Sequence, residues 1–189
     1  GRGRTLVPLT EFGCSCVGLD ENPEALAACR AALAAVGADA DLRAGDFHSE
    51  SSWSELGTFD WIVCLGNTLM NVVEVEAAVD LLARARSHLA SGCRVAVDDI
   101  GGLFWPEITG GNWCSGLSED HGMQMIWEAD DAVFTLRMGD AVNAEDWEIG
   151  PSDQRFRLWE RGALRLAGRA AGLSTYRVTH PGVLITLAV

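Results

Sequence analysis

The stretch CVGLDENPEAL, residues 16–26, decides the fold class of this chain, because it joins a strand to a helix through one short polar turn. Residues 16–20 are predicted to form a buried strand that ends in the carboxylate of Asp20. Asn22 is a good N-cap and Pro23 suits the first position of a helix. The helix is predicted to stop at Gly37. Its apolar side chains recur at helical spacing, at Leu26, Cys29, Leu33 and Val36.

The segment GRGR, residues 1–4, lies one predicted helix upstream of that strand. Gly1 and Gly3 precede a helix over residues 5–12, and a helix that opens from a glycine-rich turn presents free backbone N–H groups. In α/β proteins the acid at the end of the next strand, here Asp20, binds ribose hydroxyls. The two features together predict a nucleotide-type cofactor site. Because such a loop follows a strand, we expect a further strand upstream of this numbering.

Strands and helices alternate through the first hundred residues. Residues 41–44 form a short predicted strand, and residues 59–65 and 94–100 are apolar enough to be strands buried on both faces. Between the last two, Asn71 is predicted to cap a helix that reaches about Ala90. The predicted core face of that helix consists of Val75, Val79, Leu82 and Leu89. This alternation predicts a doubly wound, mostly parallel sheet.

In the last third of the chain, predicted antiparallel strands replace the alternation of strands and helices. Antiparallel strands are predicted over residues 123–129, 132–138, 156–160, 175–179 and 183–189, with a helix over 164–171. Residues 101–122 are rich in glycine, contain Trp105 and Trp113 and show no clear period. A segment of this kind is predicted to be an ordered lid over a pocket, and the alternative is simple hydrophobic plugging of the fold.

The composition argues against several classes of partner. All 14 basic residues are arginine, and the 27 acidic residues give a net charge of −13, so no nucleic-acid partner is expected. The six cysteines contain no C-x-x-C pair and are predicted to be reduced thiols in a cytoplasmic protein. The four histidines have no zinc-like spacing, so no metal is expected. No apolar run is long enough to span a bilayer, so no membrane partner is expected.

In order and spacing, four motifs resemble the class I S-adenosylmethionine-dependent methyltransferases. They are GRGR at residues 1–4, GLDENPEAL at 18–26, AGDF at 44–47 and FDWIVCLGNTL at 59–69. The resemblance covers nearly the whole chain and implies a single methyltransferase domain over residues 1–189, with residues 101–160 as a lid loop and β insertion over the substrate site. The LGNTL motif and this insertion look like the small-molecule branch that includes glycine and sarcosine N-methyltransferases.

The fold implied by the resemblance is a Rossmann-like, mostly parallel seven-stranded α/β sheet. Its first strand lies upstream of this numbering, and it closes with an antiparallel C-terminal hairpin. The implied cofactor is S-adenosylmethionine, with S-adenosylhomocysteine as product. Asp20 would accept hydrogen bonds from both ribose hydroxyls, although it could instead cap the following helix. Asp46 would bind the adenine amino group. The other implied cofactor-binding residues are Gly1, Gly3, Glu21, Asn22, Phe47, Leu65, Gly66 and Asn67.

The substrate side of the predicted site lies at the end of the strand over residues 94–100. Asp98 and Asp99 end this strand, at the edge where α/β sites form, and one of them is expected to face the pocket. Asp99 and His121 are the candidate catalytic residues, with His121 as the candidate general base. Candidate substrate-contacting residues are Asn67, Asp98, Trp105 and Trp113. Arg155 and Arg157 point to one face of a strand and are expected to be solvated, or else to bind a substrate carboxylate.

The sequence therefore predicts an enzyme that transfers a methyl group from S-adenosylmethionine to an amine or hydroxyl of a small molecule. The fifth predicted strand ends in VDDIGG, where the glycine-type pattern has basic and amide residues, so a larger amine or hydroxyl compound is the expected substrate. Two alternatives stay open. One is an NAD(P)-dependent oxidoreductase, which would share the glycine-rich loop and the ribose-binding acid. The other is a non-catalytic member that keeps the fold and binds the cofactor.

Overall fold

The computed structural model describes residues 1–111 and 113–189, so Asn112, which falls in the predicted lid, lies outside the described residues. The chain divides into two compact units, Gly1–Gly57 and Thr58–Val189. The helices are α1 (Leu6–Glu11), α2 (Pro23–Ala35), α3 (Val75–Ser87), α4 (Ile100–Thr109) and α5 (Arg161–Ala170). The strands are β1 (Val17–Asp20), β2 (Asp41–Ala44), β3 (Phe59–Cys64), β4 (Leu89–Asp98), β5 (Met123–Trp127), β6 (Val133–Met138), β7 (Arg155–Arg157), β8 (Thr175–His180) and β9 (Leu184–Ala188).

The first unit pairs β1 and β2 in parallel, with α2 between them in sequence. Asn22 caps α2 as predicted, because its side-chain oxygen accepts the N–H groups of Glu24 and Ala25 at 2.9 and 3.2 Å. Pro23 occupies the first helical position, where its missing N–H leaves no intrahelical bond unmade. The helix buries one face, made of Ala25, Leu26, Cys29 and Leu33. The strand, turn and helix expected from residues 16–26 are therefore confirmed.

The second unit contains a four-stranded sheet in the order β3, β4, β9, β8. β3 and β4 are parallel, whereas β9 runs antiparallel to both of its neighbours, β4 and β8. The predicted antiparallel C-terminal hairpin is thus confirmed. Three consecutive residues are buried in each of the two central strands, namely Val95, Ala96 and Val97 in β4 and Ile185, Thr186 and Leu187 in β9. Gly168 of α5 lies so close to Leu187 that the helix rests almost directly on β9.

A second, three-stranded antiparallel sheet is formed by β5, β6 and β7, as the sequence predicted. One face of this sheet contributes to an apolar cluster of Met70, Ile100, Met125, Phe134 and Leu158. Partly buried aromatic side chains pack against the same cluster, namely Phe104, Trp113, Trp127 and Phe156. The cluster joins the insertion to α4 and to the segment that follows β3.

The helix predicted over residues 71–90 is wrong at both ends. Residues Thr68–Asn71 form a 3₁₀ turn, α3 begins only at Val75, and β4 already begins at Leu89. The segment before α3 is held in a non-helical form by tertiary bonds, because the Trp159 indole donates to the carbonyls of Leu69 and Val72. The buried face of α3 is consequently Ala78, Leu81, Leu82 and Ala85, while Val75 is exposed.

The segment predicted to be a lid without periodic structure begins with a helix. Asp99 is the N-cap of α4, and its carboxylate accepts the N–H of Gly102 at 3.2 Å. Pro106 lies inside the helix and, with two glycines at its start, hides the helical pattern in the sequence. Turns follow α4 as far as β5 in the described part of the chain.

The α/β class is confirmed, and the predicted seven-stranded sheet stays a prediction. In the described residues, the strands of the expected sheet form a two-stranded and a four-stranded group, each with one parallel pair. No helix of residues 1–111 or 113–189 is long and apolar enough to cross a membrane.

Candidate functional site

Asp20 is the last residue of β1, and both oxygens of its carboxylate have partners. Its Oδ1 accepts the Asn22 N–H at 2.8 Å, and its Oδ2 contacts the Gly1 nitrogen. Burial tends to raise the pKa of Asp20, whereas the hydrogen bond from the Asn22 N–H stabilises the ionised carboxylate and lowers the pKa. Asp20 is therefore a carboxylate at neutral pH and can accept hydrogen bonds from hydroxyl groups.

The two glycines of the GRGR segment have different surroundings. Gly3 has a φ of +92°, and a Cβ at this position would lie 3.0 Å from both Cys29 Sγ and Val7 Cγ2. The Gly3 carbonyl also accepts the N–H of Val7 in the first turn of α1. A side chain at Gly3 would therefore be strained and crowded. Gly1 has open space where a Cβ would stand, so the requirement for glycine is evident only at Gly3.

The remaining cofactor candidates of the first unit surround the ends of β1 and β2. Asp46 follows β2, is exposed, and accepts the His48 N–H at 2.8 Å. Phe47 is half-buried, with its ring 4.4 Å from the ring of His48. The oxygen of the Asn22 side chain caps α2, and Glu21 is exposed in the turn between β1 and α2. Their contact with a cofactor stays a prediction.

The loop after β3 has an unusual backbone. Gly66 and Asn67 are consecutive residues in the left-handed region, with φ of 82° and 63°. This conformation is costly for a residue with a Cβ and is tolerated best by asparagine. The Asn67 N–H donates to Asp98 Oδ2 at 2.8 Å, and this bond ties the loop to the end of β4. The predicted cofactor residues Leu65, Gly66 and Asn67 are thus held against the candidate substrate residue Asp98.

Asp99, next to Asp98, is engaged on both of its oxygens. Its side chain is fully buried, and Arg161 donates to it through Nε and Nη2 at 3.0 and 2.6 Å. The N–H groups of Gly102 and Gly182 donate as well, at 3.2 and 2.7 Å. Burial tends to raise the pKa of Asp99, but Arg161 and the two backbone donors hold the pKa below its usual value. These four bonds give Asp99 a structural role, and its catalytic role stays a prediction.

Cys64 ends β3 beneath the same loop. Burial, with a smaller contribution from the negative charge of Asp98, raises the pKa of Cys64 to about 12. The side chain is therefore a neutral thiol at physiological pH. Since the thiolate is the nucleophilic form, Cys64 does not compete with a substrate for an electrophile.

The other candidate substrate residues lie along the insertion. Trp105 is on α4 with 45 % of its surface exposed, while Trp113 is half-buried against the apolar cluster. His121 is exposed in the tight turn before β5, with a φ of 56° and its N–H bonded to the Ser118 carbonyl. In the described part of the chain, no hydrogen bond or ion pair joins His121 to Asp98 or Asp99. Its role as a general base stays a prediction.

The two arginines of β7 are paired, and the expectation that they would be solvated is wrong for Arg157. Arg155 pairs with Glu128, and Arg157 contacts both oxygens of Asp131 and the Val73 carbonyl. Arg157 is buried and lies 5.7 Å from the centre of the Trp159 ring. Its bonds fix the insertion to the segment before α3.

Several residues of this edge were missed by the sequence reasoning. Arg161 and Gly182, which neutralise and bind Asp99, are 62 and 83 positions away in sequence. Nothing in their local sequence marks them as partners, apart from the turn-forming HPG at residues 180–182. Among the described residues, no group of three or more metal-binding side chains could hold an ion.

The sequence of the first half matches a known family. Residues 1–92 match the model described as a methyltransferase domain. No curated protein matches the chain. The match includes Asp20, Asp46 and the loop after β3.

Solved structures share the fold over the whole chain. An S-adenosylmethionine-dependent methyltransferase from Clostridium acetobutylicum is 11 % identical with a TM-score of 0.67, over 100 % of this chain and 80 % of that one. A methyltransferase from Streptomyces caelestis is 16 % identical with a TM-score of 0.66, over 99 % of this chain and 84 % of that one. An amino pentose methyltransferase from Micromonospora echinaspora, solved with S-adenosylmethionine, is 18 % identical with a TM-score of 0.63, over 100 % of this chain and 80 % of that one.

The similar solved structures establish the fold, and the family model supports the methyltransferase class over residues 1–92. The prediction of an S-adenosylmethionine-dependent methyltransferase, with S-adenosylmethionine as cofactor and S-adenosylhomocysteine as product, is confirmed. The oxidoreductase and the non-catalytic alternative are not favoured. A closer relation to the glycine and sarcosine N-methyltransferases is not confirmed.

Proposed function

We propose that this methyltransferase acts on an amine or hydroxyl group of a small molecule, and that the ends of its strands bind the cofactor and align the substrate. The observation that carries the proposal is the bond between the Asn67 N–H and Asp98, because it fixes a polar loop and a carboxylate at one edge of the sheet. An edge of this kind is where α/β enzymes bind their ligands. The similar amino pentose methyltransferase offers an example of a small-molecule substrate on this fold.

We assign the ribose of the cofactor to Asp20. Its carboxylate is ionised, half-buried and located at a strand end, and these properties suit an acceptor of two hydroxyl hydrogen bonds. Asp46 and Phe47 are assigned to the adenine, with Glu21 and Asn22 beside the ribose. Gly3 supports the assignment, because a side chain there would be both strained and crowded. The seven-stranded, mostly parallel sheet belongs to the same proposal.

The residues of the second unit are assigned to the methionine part and to the substrate. Leu65, Gly66 and Asn67 would contact the methionine part, and Asp98 the substrate. The bound cofactor supplies an electrophilic methyl group on a sulfonium. The protein then has to hold the acceptor in line with that methyl group and to exclude water. Alignment and exclusion of water make the largest contributions to the rate of such a displacement. We propose that the side chains of Trp105 and Trp113 cover the substrate site. Both residues lie in the insertion over residues 101–160, which belongs to a single methyltransferase domain.

Calorimetry with S-adenosylhomocysteine on the full-length protein tests the assignment of Asp20. Asp20→Asn removes the charge and keeps the size of the side chain, and we expect it to weaken binding about tenfold to a hundredfold, as for loss of a charge-assisted hydrogen bond. Asp39→Asn is the matched control, since Asp39 is an exposed acid of the same unit. Equal affinities for Asp20→Asn and wild type would contradict the assignment, and stabilisation by NAD(H) alone would contradict the function.

A further inference from the structure

Asp98 and Asp99 are adjacent, but only Asp98 has an oxygen to offer a ligand. Asp98 is half-buried at the end of β4 and uses Oδ2 for the Asn67 N–H. No hydrogen-bond donor reaches Oδ1 from residues 1–111 or 113–189. Asp99, by contrast, has both oxygens occupied by Arg161 and by two backbone N–H groups. A ligand that approaches this edge therefore meets the carboxylate of Asp98.

The charge of Asp98 is not balanced by a protein cation. Arg161 directs its Nε and Nη2 to Asp99, and no ion pair involves Asp98 in the part of the chain that the structure describes. The negative charge of Asp98 acts on a neighbouring residue, because it contributes to the raised pKa of Cys64. A half-buried carboxylate without a counter-ion favours a cationic ligand, since an opposite charge would recover part of the lost solvation.

Aromatic and aliphatic side chains follow Asp98 closely in sequence. Helix α4 begins two residues after it, and Ile100, Phe104 and Ile108 of this helix belong to or pack against the apolar cluster, as does Trp113. Partly buried aromatic rings provide apolar contacts for the carbon skeleton of a ligand and attract organic cations through their faces. Asp98 therefore precedes a segment with apolar and aromatic side chains, and no group of three metal-binding side chains is found among the described residues, which favours an organic ammonium group over an inorganic cation.

We propose that the methyl acceptor is an amine, and that Asp98 Oδ1 binds its ammonium form while the Asn67 N–H holds the carboxylate in place. This inference rests on the proposed function and narrows its substrate from an amine or hydroxyl to an amine. It makes Asp98 a specificity-determining residue and Asn67 a positioning residue.

The reaction then needs no strong base. The bound ammonium loses one proton to water, and the neutral nitrogen attacks the methyl carbon of the sulfonium. The N–C bond forms as the S–C bond breaks, the electron pair stays on sulfur, and the thioether product is neutral. The new ammonium carries the positive charge away or releases a second proton. A carboxylate is too weak a base to deprotonate an alcohol, and its negative charge disfavours a phenolate while it favours an ammonium, so the same site does not serve a hydroxyl acceptor.

Paired acceptors that differ in one functional group test the proposal on the full-length protein. Tyramine is compared with tyrosol, and glucosamine with glucose, with S-adenosylmethionine as donor and mass spectrometry to locate the methyl group. We expect methylation of nitrogen in tyramine or glucosamine and no product from tyrosol or glucose. Methylation of oxygen in any of the four, or of no amine at all, would overturn the proposal.

The role of Asp98 is tested with Asp98→Asn, which keeps an oxygen for the Asn67 N–H. We expect KM for the methylated amine to rise about tenfold to a hundredfold, while the Kd of S-adenosylhomocysteine changes less than about twofold. Asp80→Asn, an exposed acid on α3, controls for the loss of one charge. An unchanged KM refutes the role of Asp98. Failure of wild type to bind S-adenosylhomocysteine refutes the proposed function itself.

Discussion

Asp99 and Arg161 form a two-point ion pair that joins the N-termini of α4 and α5. Arg161 Nε and Nη2 lie 3.0 and 2.6 Å from the two carboxylate oxygens, and the Gly182 N–H adds the turn between β8 and β9 to the same carboxylate. One buried side chain thereby connects three segments that are far apart in sequence. The same pair fixes the backbone of Asp98, the residue to which we assign the substrate.

Asp99→Ala should destabilise the protein. The variant leaves the N–H groups of Gly102 and Gly182 without their acceptor and Arg161 without its partner. Arg161 is 44 % exposed and can turn to water, so we expect a loss of about 2–3 kcal/mol, at the low end for a broken buried pair. Urea unfolding followed by circular dichroism measures the change. A loss below about 0.5 kcal/mol would mean that the pair is not important for stability.

The contribution of Asp99 to stability should disappear in acid. Its pKa is lower in the folded protein than the value near 3.9 expected for the unfolded chain, so the stabilisation is fully present above about pH 4. It is lost as the pH falls through the lower pKa of the folded state. The free energy of unfolding should therefore decline below pH 4 more steeply in wild type than in Asp99→Ala. Parallel curves for the two proteins between pH 5 and pH 2 would contradict this prediction.

Two glycines of α5 should respond to alanine in opposite directions. A Cβ at Gly168 would lie 2.4 Å from Leu187 Cδ2, so Gly168→Ala should push α5 away from β9 and cost about 1–3 kcal/mol. Gly162 has open space around its Cβ position, so Gly162→Ala should stabilise the protein by up to about 1 kcal/mol through helix propensity. Thermal unfolding of both variants makes the comparison. Equal effects would show that α5 does not rest on β9.

Substitutions of Asn67 should separate the contribution of its backbone conformation from the contribution of its side chain. Asn67→Gly accepts a φ of 63° and should fold with wild-type stability, whereas Asn67→Ala should lose about 1 kcal/mol because alanine is strained there. If the carboxamide binds the methionine part of the cofactor, both variants should bind S-adenosylhomocysteine more weakly. Calorimetry and urea unfolding of the two variants together distinguish the effects. Wild-type affinity in Asn67→Gly would show that only the conformation matters.

The buried Arg137 should control the mobility of the loop between β6 and β7. Arg137 is bound by Asp153 and Asp146 and by the carbonyl of Glu148, and Gln124 bonds to the same loop. Arg137→Met keeps the length of the side chain but removes these bonds, so amide hydrogen exchange in residues 139–154 should become faster. Residues of α2 serve as the internal reference. Unchanged exchange in the loop would assign its order to other contacts.

The sequence predicted those elements whose stabilising groups are neighbours in the chain. The N-cap of Asn22, the proline at position 23 and the apolar spacing of α2 act within a few residues, so the strand, turn and helix at residues 16–37 could be predicted closely. The antiparallel hairpins of the last third alternate in polarity in the same local way. The methyltransferase class followed from the order of the strand-end motifs.

The sequence alone could not decide between partners that are distant in the chain. It marked both Asp98 and Asp99 as site candidates, and only the position of Arg161 and Gly182 separates a structural carboxylate from an available one. The late start of α3 has the same origin, because Trp159 donates to the Val72 carbonyl, which a helix capped at Asn71 would have used. The sequence therefore determined the class of enzyme and where its strands end. Tertiary structure decided which polar groups at those ends are already satisfied, because a buried hydrogen bond depends on distance in space and not on separation along the chain.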